Sequence, residues 1–242
     1  MKNNLKLPRI IGHRGLCAYA PENTLASIQK ARELGLLWFE VDVRLTRDDV
    51  VMLFHDETLE RTSNGKGLFR ERSLDEIKQL DAGSWFLPKF SKEAIPTLEE
   101  VLELCGKLKI NINLELKIED KSEERLCDLV LKEIKKSKLN YSTSFLLSSF
   151  SLEILKKLKM LDSEIPLGWN RENWSEEDLF LVSGLKPYSL HYPADVLTAD
   201  RILEIKSKGI AVLAYTVNTK SEADRLFAMG VESVFSDSIS SL

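Results

Sequence analysis

Ile10-Ile11-Gly12-His13-Arg14-Gly15 closes an apolar run with a histidine and an arginine. Phe39-Glu40-Val41-Asp42-Val43 sets two acids at alternate positions of a strand-like run. Val50-Val51-Met52-Leu53-Phe54-His55-Asp56 closes another apolar run with a second histidine. Alternate residues of a strand share a face, so Glu40 and Asp42 point the same way. Two carboxylates aimed together repel unless a cation lies between them. Imidazoles at nearby strand ends can then move protons beside that cation. This pattern points to metal-assisted acid–base chemistry. Asn113-Leu114-Glu115-Leu116-Lys117 repeats the alternation, with an acid and a base on one face. Glu40, Asp42 and Glu115 make an all-oxygen set suited to Mg²⁺ or Ca²⁺. Zinc suits it less, because no closely spaced His or Cys set exists. Each motif alone has an ordinary reading, a Glu115–Lys117 salt bridge and second-strand acids facing solvent. Three motifs on consecutive strands weaken that reading.

These residues need strands to carry them. Strand-like runs are predicted at 9–13, 38–45, 50–55, 110–117, 144–150, 165–169, 188–192, 210–217 and 233–236. Helix-like runs at 24–34, 97–107, 122–136, 151–161, 175–182, 199–208 and 221–229 alternate with most of them. Thr97-Leu98-Glu99-Glu100 and Thr219-Lys220-Ser221-Glu222 fit capping boxes. Gly35, Gly106, Gly209 and Gly230 fit left-handed helix ends. Strand–helix alternation argues for a parallel sheet. Only Thr46, Arg47, Asp48 and Asp49 separate the second and third strand candidates, too few for a parallel crossover. That junction is a hairpin centred on Arg47 and Asp48, which folds His55 back opposite Glu40. Setting 50–55 aside leaves eight βα strands, the number that closes a TIM barrel. The fold expected is therefore an α/β TIM (βα)8 barrel. It forms a single domain over 1–242, with an insertion at about 46–95 after the second strand. A short helix, 73–80, lies in that insertion. Barrel enzymes hold their chemistry at the C-terminal ends of the strands, where His13, Arg14, Glu115 and Lys117 fall.

Composition fits this reading. Of 242 residues, 43% are hydrophobic and the formal net charge is -4. The slight acidity gives no electrostatic reason to expect nucleic acid or an anionic membrane as partner. Lysines at 132, 135, 136 and 138, and at 156, 157 and 159, read as solvated helix faces. No segment suits a signal peptide or a membrane span, so a cytoplasmic location is expected, without stable membrane insertion. The 3 cysteines form no CxxC pattern. Cys105 and Cys127 read as core thiols, and Cys17, near His13, as unreactive. His191 reads as a hydrogen-bonded core histidine, and Trp169 and Tyr192 as core aromatics rather than a cation–π site. No GxSxG, P-loop or dinucleotide glycine pattern is present.

The motifs also resemble a known family. His13-Arg14-Gly15, Pro21-Glu22-Asn23-Thr24, Glu40-Val41-Asp42-Val43 and His55-Asp56 are similar to those of glycerophosphodiester phosphodiesterases. The likeness continues through Asp81-Ala82-Gly83-Ser84-Trp85, Ile95-Pro96-Thr97, Leu114-Glu115-Leu116-Lys117, Ser148-Ser149-Phe150 and Thr216-Val217-Asn218. The resemblance implies hydrolysis of a small-molecule glycerophosphodiester to glycerol 3-phosphate and an alcohol. It implies that His13 and His55 are the acid–base pair. Glu40, Asp42 and Glu115 would bind the divalent cation, and Arg14 and Lys117 the phosphate. Two departures stand out: Tyr215 where the family has tryptophan, expected to reshape the alcohol pocket, and Ser236-Asp237-Ser238 where it has Thr-Asp followed by proline. Neither is expected to touch the chemistry. The sequence stops at Leu242, so a last barrel helix is expected to be short or absent. A lysophospholipase D-type reading would need an apolar entrance near Trp85, Phe86 and Phe90, aromatics read more simply as packing of the insertion on the barrel. A third reading is an idle barrel that binds phosphorylated metabolites.

Overall fold

The structure, a computed structural model, describes residues 5–117, 122–137 and 143–240. Its strands are β1 (Ile10–Gly12), β2 (Trp38–Leu45), β3 (Val51–Leu53), β4 (Asn111–Leu116), β5 (Phe145–Ser149), β6 (Leu167–Asn170), β7 (Ser189–Pro193), β8 (Ala211–Tyr215) and β9 (Ser233–Ser236). Its helices are α1 (Leu25–Glu33), α2 (Leu74–Lys78), α3 (Leu98–Leu108), α4 (Glu123–Lys136), α5 (Leu152–Leu161), α6 (Glu176–Leu185), α7 (Ala199–Ser207) and α8 (Lys220–Met229). The sheet runs β1-β9-β8-β7-β6-β5-β4-β2, and β1 pairs with β2 to close it. Eight strands are parallel, and β3 alone is antiparallel, on β2. This is the expected TIM barrel.

Strand alternation sorts side chains between two cores. Phe39, Val41 and Val43 of β2 join the layer between sheet and helices. Trp38 instead joins Leu5, Ile11, Leu146, Leu213 and Phe235, which fill the barrel at the end where its strands begin. Glu40 and Asp42, in phase with Trp38, therefore point inward. Hydroxyl side chains cap α1, α2, α3, α5, α6, α7 and α8 close to their predicted starts. Thr97 and Glu100 form the expected reciprocal box. Thr219 accepts from Glu222 N, but the reciprocal bond is not formed. Gly106 corrects one expectation: it lies within α3, and Lys109 takes the left-handed end at φ 53°.

The hairpin register is shifted by one residue from the one expected. Val43 pairs with Leu53 and Leu45 with Val51, so the turn centres on Asp48. Asp49 adopts φ 60° and its N–H donates to Thr46 O, which adds a residue to the turn. Phe54 N then donates to Asp42 O, and His55 follows beside Val41, still at the acidic pair. Between β3 and α3 a small third core forms from Met52, Phe54, Leu59, Phe69, Ile77, Ala82 and Ile95. Trp85, Phe86 and Phe90 stand apart from it. Trp85 meets Phe86 edge-on and Phe86 meets Phe90 edge-on, with Trp85 41% exposed and both phenylalanines half-buried. Described residues 237–240 after β9 form no helix.

Inside the barrel, His191 is 1% exposed and its Nε2 bonds to Ser189 Oγ at 2.8 Å. Burial pushes its pKa down to about 3, so it is neutral. Its ring lies over Gly168, where a Cβ would sit 2.5 Å from His191 Cε1. Gly168→Ala is expected to destabilise the fold by about 1–3 kcal/mol in urea unfolding, as overpacking does. An unchanged midpoint would show that the imidazole turns aside freely.

Candidate active site

The site begins with a tight turn after β1. Gly15 has φ 88°, and a Cβ there would lie 2.1 Å from Ser27 Oγ, so only glycine fits. Gly15 N donates to Glu40 O, and Arg14 N donates to Glu40 Oε2 at 2.9 Å. The His-Arg-Gly turn is thus bonded directly to the first acid of β2.

Glu40, Asp42 and Glu115 offer one oxygen each within 4.8 Å of one another. Glu40 and Asp42 are 3% and 2% exposed. Asp42 is fixed on both sides by Asn23, whose Nδ2 donates to Oδ2 at 2.8 Å and whose Oδ1 accepts from Asp42 N. Lys117 Nζ lies 2.9 Å from Asp42 Oδ1 and 2.6 Å from Glu115 Oε1. Asn170 Nδ2 donates to Glu115 Oε2 at 3.0 Å. The Glu115–Lys117 salt bridge exists, yet the second-strand acids are buried rather than solvated.

Charge is unevenly shared. Burial raises the Asp42 pKa, but Lys117, His55 and Arg14 outweigh it and hold Asp42 below the usual carboxylate range. Glu40 goes the other way. Burial, then Asp42, then Glu115, push it well above its ordinary value. Glu40 Oε1 is buried with no hydrogen-bond partner. An orphaned carboxylate oxygen beside two other acids is what a hard divalent cation would satisfy. The acidic group therefore fits such an ion.

Both catalytic candidates are tied through Nδ1. His13 Nδ1 lies 2.6 Å from Asp237 Oδ1, leaving Nε2 3.9 Å from Glu40 Oε2. His55 Nδ1 lies 2.6 Å from Asp56 Oδ1, and His55 O accepts from Arg44. A carboxylate on Nδ1 fixes the tautomer and leaves Nε2 for proton transfer. Burial lowers the His55 pKa, outweighing the attraction of Asp42. A cavity of about 220 Å³ is lined by His13, Arg14, Glu40, Asp42, His55, Glu115 and Lys117, with Phe150 and Tyr215 on its wall. All seven residues singled out in the sequence meet there.

A family model described as "Glycerophosphoryl diester phosphodiesterase family" matches residues 13–241. The chain belongs to that family. It is a family of enzymes, and the match spans nearly all of this chain. A glycerophosphodiester phosphodiesterase of Caldanaerobacter subterraneus subsp. tengcongensis is 33% identical over 94% of this chain and 93% of its own length. One from Bacillus subtilis is 34% identical over 98% of this chain and 86% of its own. A solved phosphodiesterase of Oleispira antarctica, in complex with the product sn-glycerol-3-phosphate, is 37% identical with a TM-score of 0.93, covering 96% of this chain and 93% of that one.

Several site residues of this family member were not given roles by the sequence. Asp237 is the partner of His13; it is the aspartate that this strand end shares with the family, not part of the departure there. Cys17 Sγ and Asn218 Nδ2 also donate to it, at 2.9 and 2.7 Å. Burial would raise Asp237, but these bonds hold it below the carboxylate range. Burial raises the Cys17 pKa, so it remains a thiol, as expected. Tyr215 lies edge-on to Phe150 at 6.2 Å, and its Oη donates to Arg171 O. The Tyr215 departure therefore shapes the cavity. Trp169 and Tyr192 are buried core aromatics, as read. Asp56, Glu22 and Arg61 were likewise missed as a group, since ion pairs across loops leave no periodic signal.

Because Glu40 titrates above its unfolded-state value, its contribution to stability falls as pH rises between the two values. Glu40→Gln is expected to melt higher than the parent in chelator at neutral pH. Its advantage should shrink as pH falls toward the ordinary glutamate range. Only the parent should gain melting temperature when a divalent cation is added. Thermal melts at several pH values check this, and an equal gain in both proteins would contradict it.

Proposed function

We propose that this chain hydrolyses glycerophosphodiesters to glycerol 3-phosphate and an alcohol. His13 and His55 are the acid–base pair, and Glu40, Asp42 and Glu115 hold Mg²⁺ or Ca²⁺. The observation that carries the reading is the single cavity that gathers two Nδ1-tethered histidines, three acids, Arg14 and Lys117. Family membership and the product bound by the Oleispira relative support the substrate class. Residues 1–242 are read as one catalytic domain with 46–95 as its insertion. Three free cysteines support a cytoplasmic setting.

A phosphodiester is negatively charged and repels an oxygen nucleophile. Arg14 and Lys117 place positive charge where its oxygens would sit. A bound divalent cation would add charge neutralisation and polarise the P–O bond. We assign His13 as base. The other donors to Asp237 are the neutral Cys17 and Asn218, so its negative charge acts mainly on His13. We assign His55 as acid. Arg61 neutralises Asp56, and the burial that lowers the His55 pKa favours release of a proton to the leaving alkoxide. The attacking oxygen is water or the glycerol 2-hydroxyl, and trapping a cyclic phosphate during turnover separates these routes.

A second reading draws on Trp85, the exposed member of an aromatic trio with the half-buried Phe86 and Phe90, as an apolar surface suited to a lysophospholipid chain. Comparing glycerophosphocholine with lysophosphatidylcholine discriminates. His13→Ala and His55→Ala are each expected to lose about 10²–10⁴-fold in kcat on glycerophosphodiesters. A chelated wild-type enzyme should be inactive and recover with Mg²⁺ or Ca²⁺. Near-normal turnover in either variant, or full activity in EDTA, would defeat the assignment.

A further inference from the structure

Arg61 lies in the insertion, outside the cavity, yet it grips two acids that each hold a cavity residue. Its Nε and NH2 donate to Asp56 Oδ2 and Oδ1 at 2.6 and 2.8 Å. Its NH1 and NH2 donate to Glu22 Oε2 and Oε1 at 2.7 and 2.9 Å. Asp56 holds His55 Nδ1, and Glu22 accepts from Arg14 NH1 at 2.7 Å. An unbroken chain thus runs His55–Asp56–Arg61–Glu22–Arg14. It joins the insertion to the turn between β1 and α1, and joins an imidazole to a guanidinium of the same cavity.

We propose that Arg61 is a positioning residue that sets His55 and Arg14 together. This rests on the functional reading above. An isolated exposed ion pair is worth little. Arg61 differs because both edges of its planar guanidinium are used in paired bonds, which fix geometry as well as charge. Lysine cannot replace it, since one ammonium presents no planar fork. Two cations, Arg14 and Arg61, balance two anions, Glu22 and Asp56. Without Arg61, Asp56 is free to turn away from His55, which then loses its fixed tautomer. Glu22 falls to Arg14 alone and draws that guanidinium away from a phosphate. The shared anchor makes both losses one event.

The test compares Arg61→Ala, Arg61→Lys and Asp56→Asn on a glycerophosphodiester with divalent cation present. Arg61→Ala is expected to lose about 10- to 100-fold in kcat, the usual cost of removing a residue that orients a catalytic group. Arg61→Lys should lose a similar factor while melting near wild type, which separates positioning from folding. Added guanidinium should restore rate to Arg61→Ala. Combined with Asp56→Asn, it should be no slower than the slower single variant, because the two act through one link. The proton on His55 Nδ1, followed by NMR, should be protected in wild type and lost in Arg61→Lys. That signal does not depend on turnover, so a wild-type protein inactive on this substrate would defeat the functional reading without deciding the role of Arg61. Wild-type kcat in folded Arg61→Lys with the proton retained, or losses that multiply in the double variant, would overturn the proposal.

Discussion

Three carboxylates within 4.8 Å of one another, deep in a barrel mouth, repel unless positive charge is placed among them. Much of the site answers that constraint. Lys117 supplies an ammonium between Asp42 and Glu115, and Arg14 brings a guanidinium to the edge of Asp42. Asn23 and Asn170 take up further oxygens with neutral donors. Glu40 is left under-compensated, with one oxygen unpartnered and its pKa raised. That residual frustration costs stability, and a divalent cation held there would relieve it, the exchange that binding sites commonly make.

The histidines are built by a shared logic. Each has a carboxylate on Nδ1, but the two carboxylates differ in their other partners. Asp237 takes neutral donors from Cys17 and Asn218, whereas Asp56 is gripped by Arg61. Chemically equivalent imidazoles are thereby given unequal surroundings. The barrel delivers His13 from β1. The antiparallel β3, outside the βα repeat, delivers His55 from the insertion. A hairpin therefore closes the site in place of a ninth crossover.

Local periodicity made much of this legible in the sequence. Glu40 and Asp42 share a face because a strand alternates, and Glu115 and Lys117 repeat the pattern on the neighbouring barrel strand. The short link from Thr46 to Asp49 could only be a turn. The one-residue register shift was hidden, since the left-handed Asp49 is a matter of backbone conformation. The bond between His13 and Asp237 spans 224 residues, and no spacing rule reaches that far. Arg61 was invisible for a related reason: its partners come from two loops that meet only after the barrel closes.

In the proposed function the buried acids form a cation site whose place the Lys117 ammonium takes, 2.9 Å from Asp42 and 2.6 Å from Glu115. The most direct measurement is anomalous diffraction from crystals soaked in Mn²⁺, which takes the same oxygen ligands as Mg²⁺. The account predicts one strong peak among Glu40, Asp42 and Glu115, with Glu40 Oε1 as a ligand and the Lys117 ammonium moved away from Asp42. No peak there at saturating metal, with Lys117 still bridging Asp42 and Glu115, would contradict it.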